Sequence, residues 1–366
     1  MTVINSEGLN GAVTNPLQQM TANTQTALWN DSATFAELQE SISFGAVGAT
    51  CNPVIALAAI RADLPRWARR IGELSAEQPS ATESQIGWRL VEEISVEAAR
   101  LLEPAFTQSR GRNGRLSIQT DPRNHRDADA LVAQAVHFSD LAPNIIVKIP
   151  ATAVGLRAIE EAVDRGVMIN VTVSFSVAQA VAAAEAIERG MERRSARGES
   201  VDDPGHVVTI MCGRLDDWLK DCYAREGLCF DPGYLEWSGI AAFKNAYRIF
   251  AARGFRSRLL SAAYRNCLQW TEFVGGDVVL SPPFAWQQRF VNSGIDPVER
   301  MHLPVDPNIV QTLYEQMPEF RKAYDVDGMA PDDFADFGAS RKTLRQFLQA
   351  DADLDAIVRD VLIPAP

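Results

Sequence analysis

Eight short runs of apolar, mostly β-branched residues recur along the chain, and longer stretches with helical spacing separate them. The runs are "ALWN" (27–30), "AVGATCN" (46–52), "RLSIQTD" (115–121), "IIVKIPA" (145–151), "VMINVTVS" (167–174), "HVVTIMCG" (206–213), "SRLLSAAY" (257–264) and "DVVLSPP" (277–283). Strands that are apolar on both faces belong to a parallel sheet covered by helices. Eight strand–helix units favour closure into a (β/α)8 barrel with extra helices. An open doubly wound nucleotide-binding sheet is the second arrangement, but no Gly-rich phosphate loop accompanies the strands. A length of 366 residues suits one barrel domain over 1–366. It would carry an N-terminal arm at about 1–26 and a C-terminal helical extension at about 284–366, and the helix-rich stretch 53–114 would be a further elaboration. Among the helical patterns are 127–141, 152–166 and 176–190. The last two end in Gly166 and Gly190, which are expected to act as C-caps.

Charge narrows the partners. A net charge of −12 disfavours non-specific nucleic-acid binding, which needs a basic surface. No apolar run approaches the roughly 20 residues that span a bilayer, and the first residues carry neither a basic nor an apolar signal region, so a cytoplasmic protein is expected. Five cysteines, Cys51, Cys212, Cys222, Cys229 and Cys267, form no zinc spacing. They are read as reduced thiols that serve as small packing residues. The histidines His125, His137, His206 and His302 are read as structural, and no metal site is expected.

In a barrel of this kind the chemistry lies at the C-terminal ends of the strands. The polar residues there are Asp31, Thr50, Asn52, Gln119, Asp121, Lys148, Asn170, Thr172, Thr209, Arg214 and Arg265. Lys148 stands out, because only five of the 35 basic residues are lysines and it is the first. A lysine, unlike an arginine, can lose its proton when buried and become a nucleophile. Asn170 and Thr172 alternate with valines and so share one strand face. Each residue also has a plainer reading. Lys148 could snorkel to solvent, Asp31 could cap a helix at "SATFAEL", and Asn52 could belong to a turn. Arg214 and Arg265 could pair with Asp216 and Asp217. The "VTNP" quartet at 13–16 follows no strand and belongs to the arm.

The phrases around these residues resemble the transaldolases of the longer-chain kind. "NPLQQMTANTQTALWNDS", "GATCNPVI", "LSIQTDPR", "IVKIPATAVGLRAIEEA", "INVTVSFS", "DPGYLEWSGIAAFKNAYRIFAARGF", "SAAYRN" and "MAPDDFADFG" follow one another in the family's order. The resemblance implies transfer of a dihydroxyacetone unit between sugar phosphates, without cofactor or metal, by a cytoplasmic monomer or homodimer of the pentose phosphate pathway. It places Lys148 as the Schiff-base amine and Asp31 as the group that moves the C4 hydroxyl proton. Thr172 would position a water. Asn52 and Asn170 would hold the dihydroxyacetone hydroxyls, with Thr50 and Thr209 beside the substrate, and Arg214 and Arg265 would hold the phosphate. The family's catalytic glutamate is Gln119 here, as in the related fructose 6-phosphate aldolases, and an amide can orient a water but cannot exchange a proton with it. Met211 stands where those groups have an aromatic residue, and Ala263 where they have a phosphate-binding serine. An aldolase releasing free dihydroxyacetone, a transaldolase for an unusual sugar and a non-catalytic sugar-phosphate binder are the alternatives.

Overall fold

A computed structural model of the chain describes residues 15–202 and 205–365. The start of the expected arm, residues 1–14, lies outside the described residues, and with it Val13 and Thr14 of the "VTNP" quartet. All eight runs form strands: β1 (Ala27–Asn30), β2 (Ala46–Thr50), β3 (Arg115–Gln119), β4 (Ile145–Pro150), β5 (Ile169–Thr172), β6 (Val207–Ile210), β7 (Arg258–Ala262) and β8 (Val279–Ser281). Each pairs in parallel with its sequence neighbour, and β8 returns to β1 to close the barrel.

Helix α1 (Pro16–Asn23) precedes the barrel, and α2 (Phe35–Ser43) links β1 to β2. The helix-rich stretch after β2 is α3 (Pro53–Ala62), α4 (Leu64–Glu77) and α5 (Glu83–Gln108). The crossovers α6 (Ala128–Ser139), α7 (Ala153–Asp164) and α8 (Val177–Ala196) follow β3, β4 and β5. Helices α9 (Cys212–Glu226) and α10 (Ser238–Arg253) separate β6 from β7, and the single turn α11 (Leu268–Thr271) separates β7 from β8. The C-terminal extension is α12 (Phe284–Val291), α13 (Pro307–Gln316), α14 (Pro318–Tyr324) and α15 (Gly338–Leu362).

One expected boundary is wrong. Gly166 does follow the end of α7 with a positive φ of 85°, but Gly190 lies inside α8, which continues to Ala196. A Cβ at Gly190 would lie 2.6 Å from the Glu160 carbonyl oxygen and 2.7 Å from Val163 Cβ. The glycine is there so that α7 and α8 can pack backbone to side chain, which is why it leaves no mark on the helix's length.

The barrel interior explains how the site gets its floor. Side chains alternate along each strand, so Trp29 lies one layer below Asp31, and Ile146 one layer below Lys148. Trp29, Ile146, Val207, Leu260 and Val279 are fully buried and form one apolar cluster. The indole fits because β2 offers Gly48 opposite: a Cβ there would lie 2.4 Å from the ring. This apolar layer closes the barrel below the strand ends, and a cavity opens above it.

Candidate active site

A cavity of about 180 Å³ opens at the C-terminal ends of the strands. Asp31, Thr50, Asn52, Lys148 and Thr172 line it from β1, β2, β4 and β5; Thr209, Met211, Leu260, Ala262, Ala263 and Pro283 line it from β6, β7 and β8, with Arg214, Arg265 and Phe347 also on the wall. Lys148 is buried, and among the described residues no carboxylate lies within ion-pair distance of its amine. Desolvation is the largest influence on it and lowers its pKa; Asp31 and Cys51 act in the opposite direction, and Arg214 adds to the lowering. The amine is thus biased toward its neutral, nucleophilic form. It does not snorkel to solvent.

Asp31 follows β1 and accepts a hydrogen bond from the Thr50 hydroxyl. It caps no helix. The α2 N-cap is Thr34, and Ser32 makes the local bonds, accepting from the Thr34 amide and donating to Glu37. Asn52 is both a cap and a wall residue: its Oδ1 accepts from the Ile55 amide at 3.1 Å to start α3, while its side chain borders the cavity.

Two predicted residues lie beside the cavity and not on its wall. Asn170 is fully buried in register with Lys148; it donates to Ser117 Oγ at 3.0 Å and accepts from Thr209 Oγ1 at 2.8 Å. Gln119 is in register with Lys148 from the other neighbouring strand, and its Oε1 is buried with no partner. Buried polar atoms are nearly always bonded, so an open acceptor next to the lysine suits a water or a substrate hydroxyl.

The backbone is strained at the same rim. Val173 follows β5 with φ of 50°, and Ala263 follows β7 with φ of 63°. A β-branched residue in the left-handed region is a genuine outlier, and such strain gathers where a site over-determines its backbone. Thr172 and the loop that carries Arg265 each lie next to one of these residues. The Ala263 turn needs Gly213 at the start of α9, where a Cβ would lie 1.7 Å from the Ala263 carbonyl oxygen.

The two arginines differ. Arg265 is exposed and gives Nε and Nη2 to both oxygens of Asp217, the nearest at 2.7 Å, and Nη1 to the Tyr264 carbonyl. Its pairing with Asp217 is therefore real, as the plainer reading had it. Asp216 is no surface acid: it is buried, and accepts from the Gly239 amide and from Gln269. Arg214 pairs with neither acid. Its Nη1 donates to Gln346 Oε1 at 2.6 Å and Thr343 Oγ1 at 3.2 Å, and its guanidinium lies 5.5 Å from the Phe347 ring centroid. Burial lowers its pKa most, and the nearby Arg265 lowers it further. Two guanidiniums thus border one cavity, and only that of Arg265 has a carboxylate partner among the described residues.

Phe347, Thr343 and Gln346 were not predicted, and neither were Leu260 and Pro283. The first three come from α15, which is remote in sequence from every strand end, and no local pattern marks them. Other readings need correcting. Cys51, Cys212 and Cys222 are buried, as packing residues should be, and burial pushes the Cys51 thiol up to about 11. Cys229 and Cys267 are exposed, so they are not packing residues. His206 is buried and pushed down to about 3 by burial, and its Nδ1 accepts from the Ile169 amide. No cluster able to hold a metal ion is found among the described residues, and no helix among them is long and apolar enough to cross a membrane.

Residues 28–354 match the family model described as transaldolase/fructose-6-phosphate aldolase. Among curated relatives, transaldolase 2 of Streptomyces avermitilis is 32% identical over 310 residues, covering 78% of this chain and 80% of the relative. Transaldolase 1 of the same organism is 30% identical over 282 residues, covering 75% and 68%. Transaldolase 1 of Streptomyces coelicolor is 29% identical over 319 residues, covering 86% and 76%.

Proposed function

Since the chain belongs to the transaldolase/fructose-6-phosphate aldolase family, we propose that it transfers dihydroxyacetone from a ketose phosphate to an aldose phosphate through a Schiff base on Lys148. The donor would be sedoheptulose 7-phosphate or fructose 6-phosphate. The observation that carries this reading is the buried, unpaired Lys148 amine on the wall of a cavity that also holds Asp31. Neutral Lys148 attacks the C2 ketone, and loss of water gives the iminium. Asp31 accepts the C4 hydroxyl proton as the C3–C4 bond breaks; the electron pair moves into the iminium, and the aldose leaves. The resulting enamine attacks the carbonyl carbon of the acceptor aldose, and Asp31 returns its proton to the new hydroxyl. Hydrolysis then frees the lysine.

Thr172 and Gln119 serve the water of imine formation and hydrolysis. Gln119 can only orient it, through the open Oε1 beside Lys148. Asn52 and Asn170 bind the dihydroxyacetone hydroxyls, Asn170 through whatever bonding capacity Ser117 and Thr209 leave it. Arg214 holds the phosphate, with Arg265 in a lesser part because Asp217 already occupies its fork. Thr50 fixes Asp31. Gln119 also favours a second reading, an aldolase that releases free dihydroxyacetone, since the group that governs imine hydrolysis differs from the usual glutamate. The whole chain would act as one barrel domain, as a monomer or homodimer. Its unpaired cysteines fit the reducing cytoplasm.

The test is covalent. Incubation with fructose 6-phosphate and borohydride should leave a reduced adduct on Lys148, because an imine is reducible and an ammonium ion pair is not. Peptide mass spectrometry locates it. An adduct on another residue alone, or none with any ketose phosphate, removes the Schiff-base reading.

A further inference from the structure

The loop that carries Arg265 runs from β7 to α11, and two buried side chains fasten it. The Arg265 amide donates to Gln269 Oε1, and Gln269 Nε2 donates to Asp216 Oδ2 at 2.6 Å. Asp216 Oδ1 in turn accepts from the Gly239 amide at 2.7 Å. Asp216 belongs to α9, two residues after Arg214, while Gln269 belongs to α11 and Gly239 to α10. One hydrogen-bonded chain therefore joins the helix of Arg214 to the loop of Arg265. Neither Asp216 nor Gln269 lines the cavity, and both are fully buried. The loop they fasten is strained: Ala263 has φ of 63°, and its carbonyl packs against Gly213 at the start of α9. Such a backbone persists only where its surroundings over-determine it.

Both ends of this chain are backbone N–H groups, which can only donate. A carboxylate offers acceptors alone, whereas an amide offers a donor and an acceptor. With Asp216 as the carboxylate and Gln269 as the amide, every contact along the chain joins a donor to an acceptor. Two amides in these places would leave two N–H groups face to face. Two carboxylates would set like charges against each other. Burial pushes the Asp216 carboxyl up, and the Gly239 amide and Lys220 act against that. Burying an acid is costly, and the directional demand of the two N–H groups accounts for one here.

We infer that Asp216 and Gln269 are positioning residues for the phosphate group of the substrate: they fix the Arg265 backbone relative to α9, and so set the spacing of the Arg214 and Arg265 guanidiniums on the cavity wall. This rests on the reading of the two arginines as the pair that holds phosphate. Asp216 and Gln269 touch no substrate and act through the arginines, as the supports behind a binding group do.

The test exchanges the two roles in the full-length chain. Asp216→Asn alone puts two amides in the chain and should raise KM for fructose 6-phosphate about fivefold, within the range of coupling in one hydrogen-bonded network. Adding Gln269→Glu restores one carboxylate and one amide in reverse order, and should bring KM back to within about twofold of the wild type. Side chains that merely fill space would show no such rescue. Borohydride trapping of dihydroxyacetone, which has no phosphate, on Lys148 should persist in all three chains. Inorganic phosphate titrated calorimetrically gives the same comparison without chemistry, and the Arg214→Ala/Arg265→Ala variant marks any phosphate held elsewhere. Where Asp216→Asn does not fold, Gln269→Met, which cuts the link between Asp216 and Arg265, decides by the same phosphate affinity. Equal phosphate affinity in the wild type and the single variants, no rescue in the double variant, or no phosphate held at the arginines of the wild type overturns the proposal. Absence of any adduct in the wild type removes the Schiff-base reading instead, and the phosphate affinities still decide on Asp216 and Gln269.

Discussion

The two walls of the catalytic cavity are built in opposite ways. The wall formed by β1, β2, β4 and β5 is polar, and each of its side chains stands within two residues of its own strand's end: Asp31, Thr50, Asn52, Lys148 and Thr172. The facing wall is mostly apolar, made of Thr209, Met211, Leu260, Ala262, Ala263 and Pro283, and is completed by Phe347 from α15. Its charge comes from Arg265, which is bound to Asp217, and from Arg214, which is aimed by Gln346 and Thr343 of the same remote helix. The side chains of the first wall are placed by their own strands, and those of the second depend also on tertiary packing.

The largest effect should come from the first wall. Lys148→Met should cut kcat by about four orders of magnitude or more, as loss of a nucleophile does. It should also raise the Tm. The folded state holds the lysine's proton less readily than the unfolded chain does, so at neutral pH the amine weighs against folding. That penalty fades only as the pH rises toward the ordinary lysine range. A variant that keeps substantial turnover would mean that the polar wall is not where bonds are made.

Next comes the second wall. Arg214→Ala should raise KM for a phosphorylated donor by roughly 10- to 100-fold, the worth of a charge-assisted contact of about 1.5–3 kcal/mol. Arg265→Ala should do less, because its fork is bound to Asp217. Steady-state kinetics on phosphorylated and unphosphorylated donors separates the two, and equal effects of both variants would erase the asymmetry between the arginines.

A pH series couples the walls. Asp31 raises the Lys148 pKa and Arg214 lowers it. Attack needs the neutral amine, so activity rises with pH through that pKa. Removing the carboxylate with Asp31→Asn should move the acid limb of kcat/KM to lower pH, beneath its overall loss of rate. Arg214→Ala should move the limb to higher pH. Shifts in the same direction would show that the limb does not report Lys148.

The smallest change should come from Gln119→Glu. It adds a titrating carboxylate beside the lysine and should alter both the pH profile and the ratio of transferred to released dihydroxyacetone, since release needs imine hydrolysis and transfer does not. An unchanged ratio and profile would place Gln119 outside the reacting centre.

What could be read from the sequence follows the same division. The strands were legible because each is short, apolar and β-branched, and their count implied closure. Lys148 was legible because an apolar strand makes a lone amine conspicuous. Asn170 was assigned correctly to the strand's inner face, but its complete burial could not be seen, since Ser117 and Thr209 reach it from β3 and β6. Gly190 was misread because a glycine that serves helix packing and one that ends a helix look alike in one dimension. Phe347 and Gln346 gave no signal, as their role exists only once α15 crosses the barrel.

Helix α15 has one more consequence, in the order of synthesis. The chain emerges N-terminus first, so β8 leaves the ribosome and can close the barrel at Ser281 well before Gly338 appears. A nascent chain at that stage would own its lysine and its aspartate but neither Phe347 nor the two side chains that aim Arg214. The lining of the cavity is therefore finished last, after every strand of the barrel has been made.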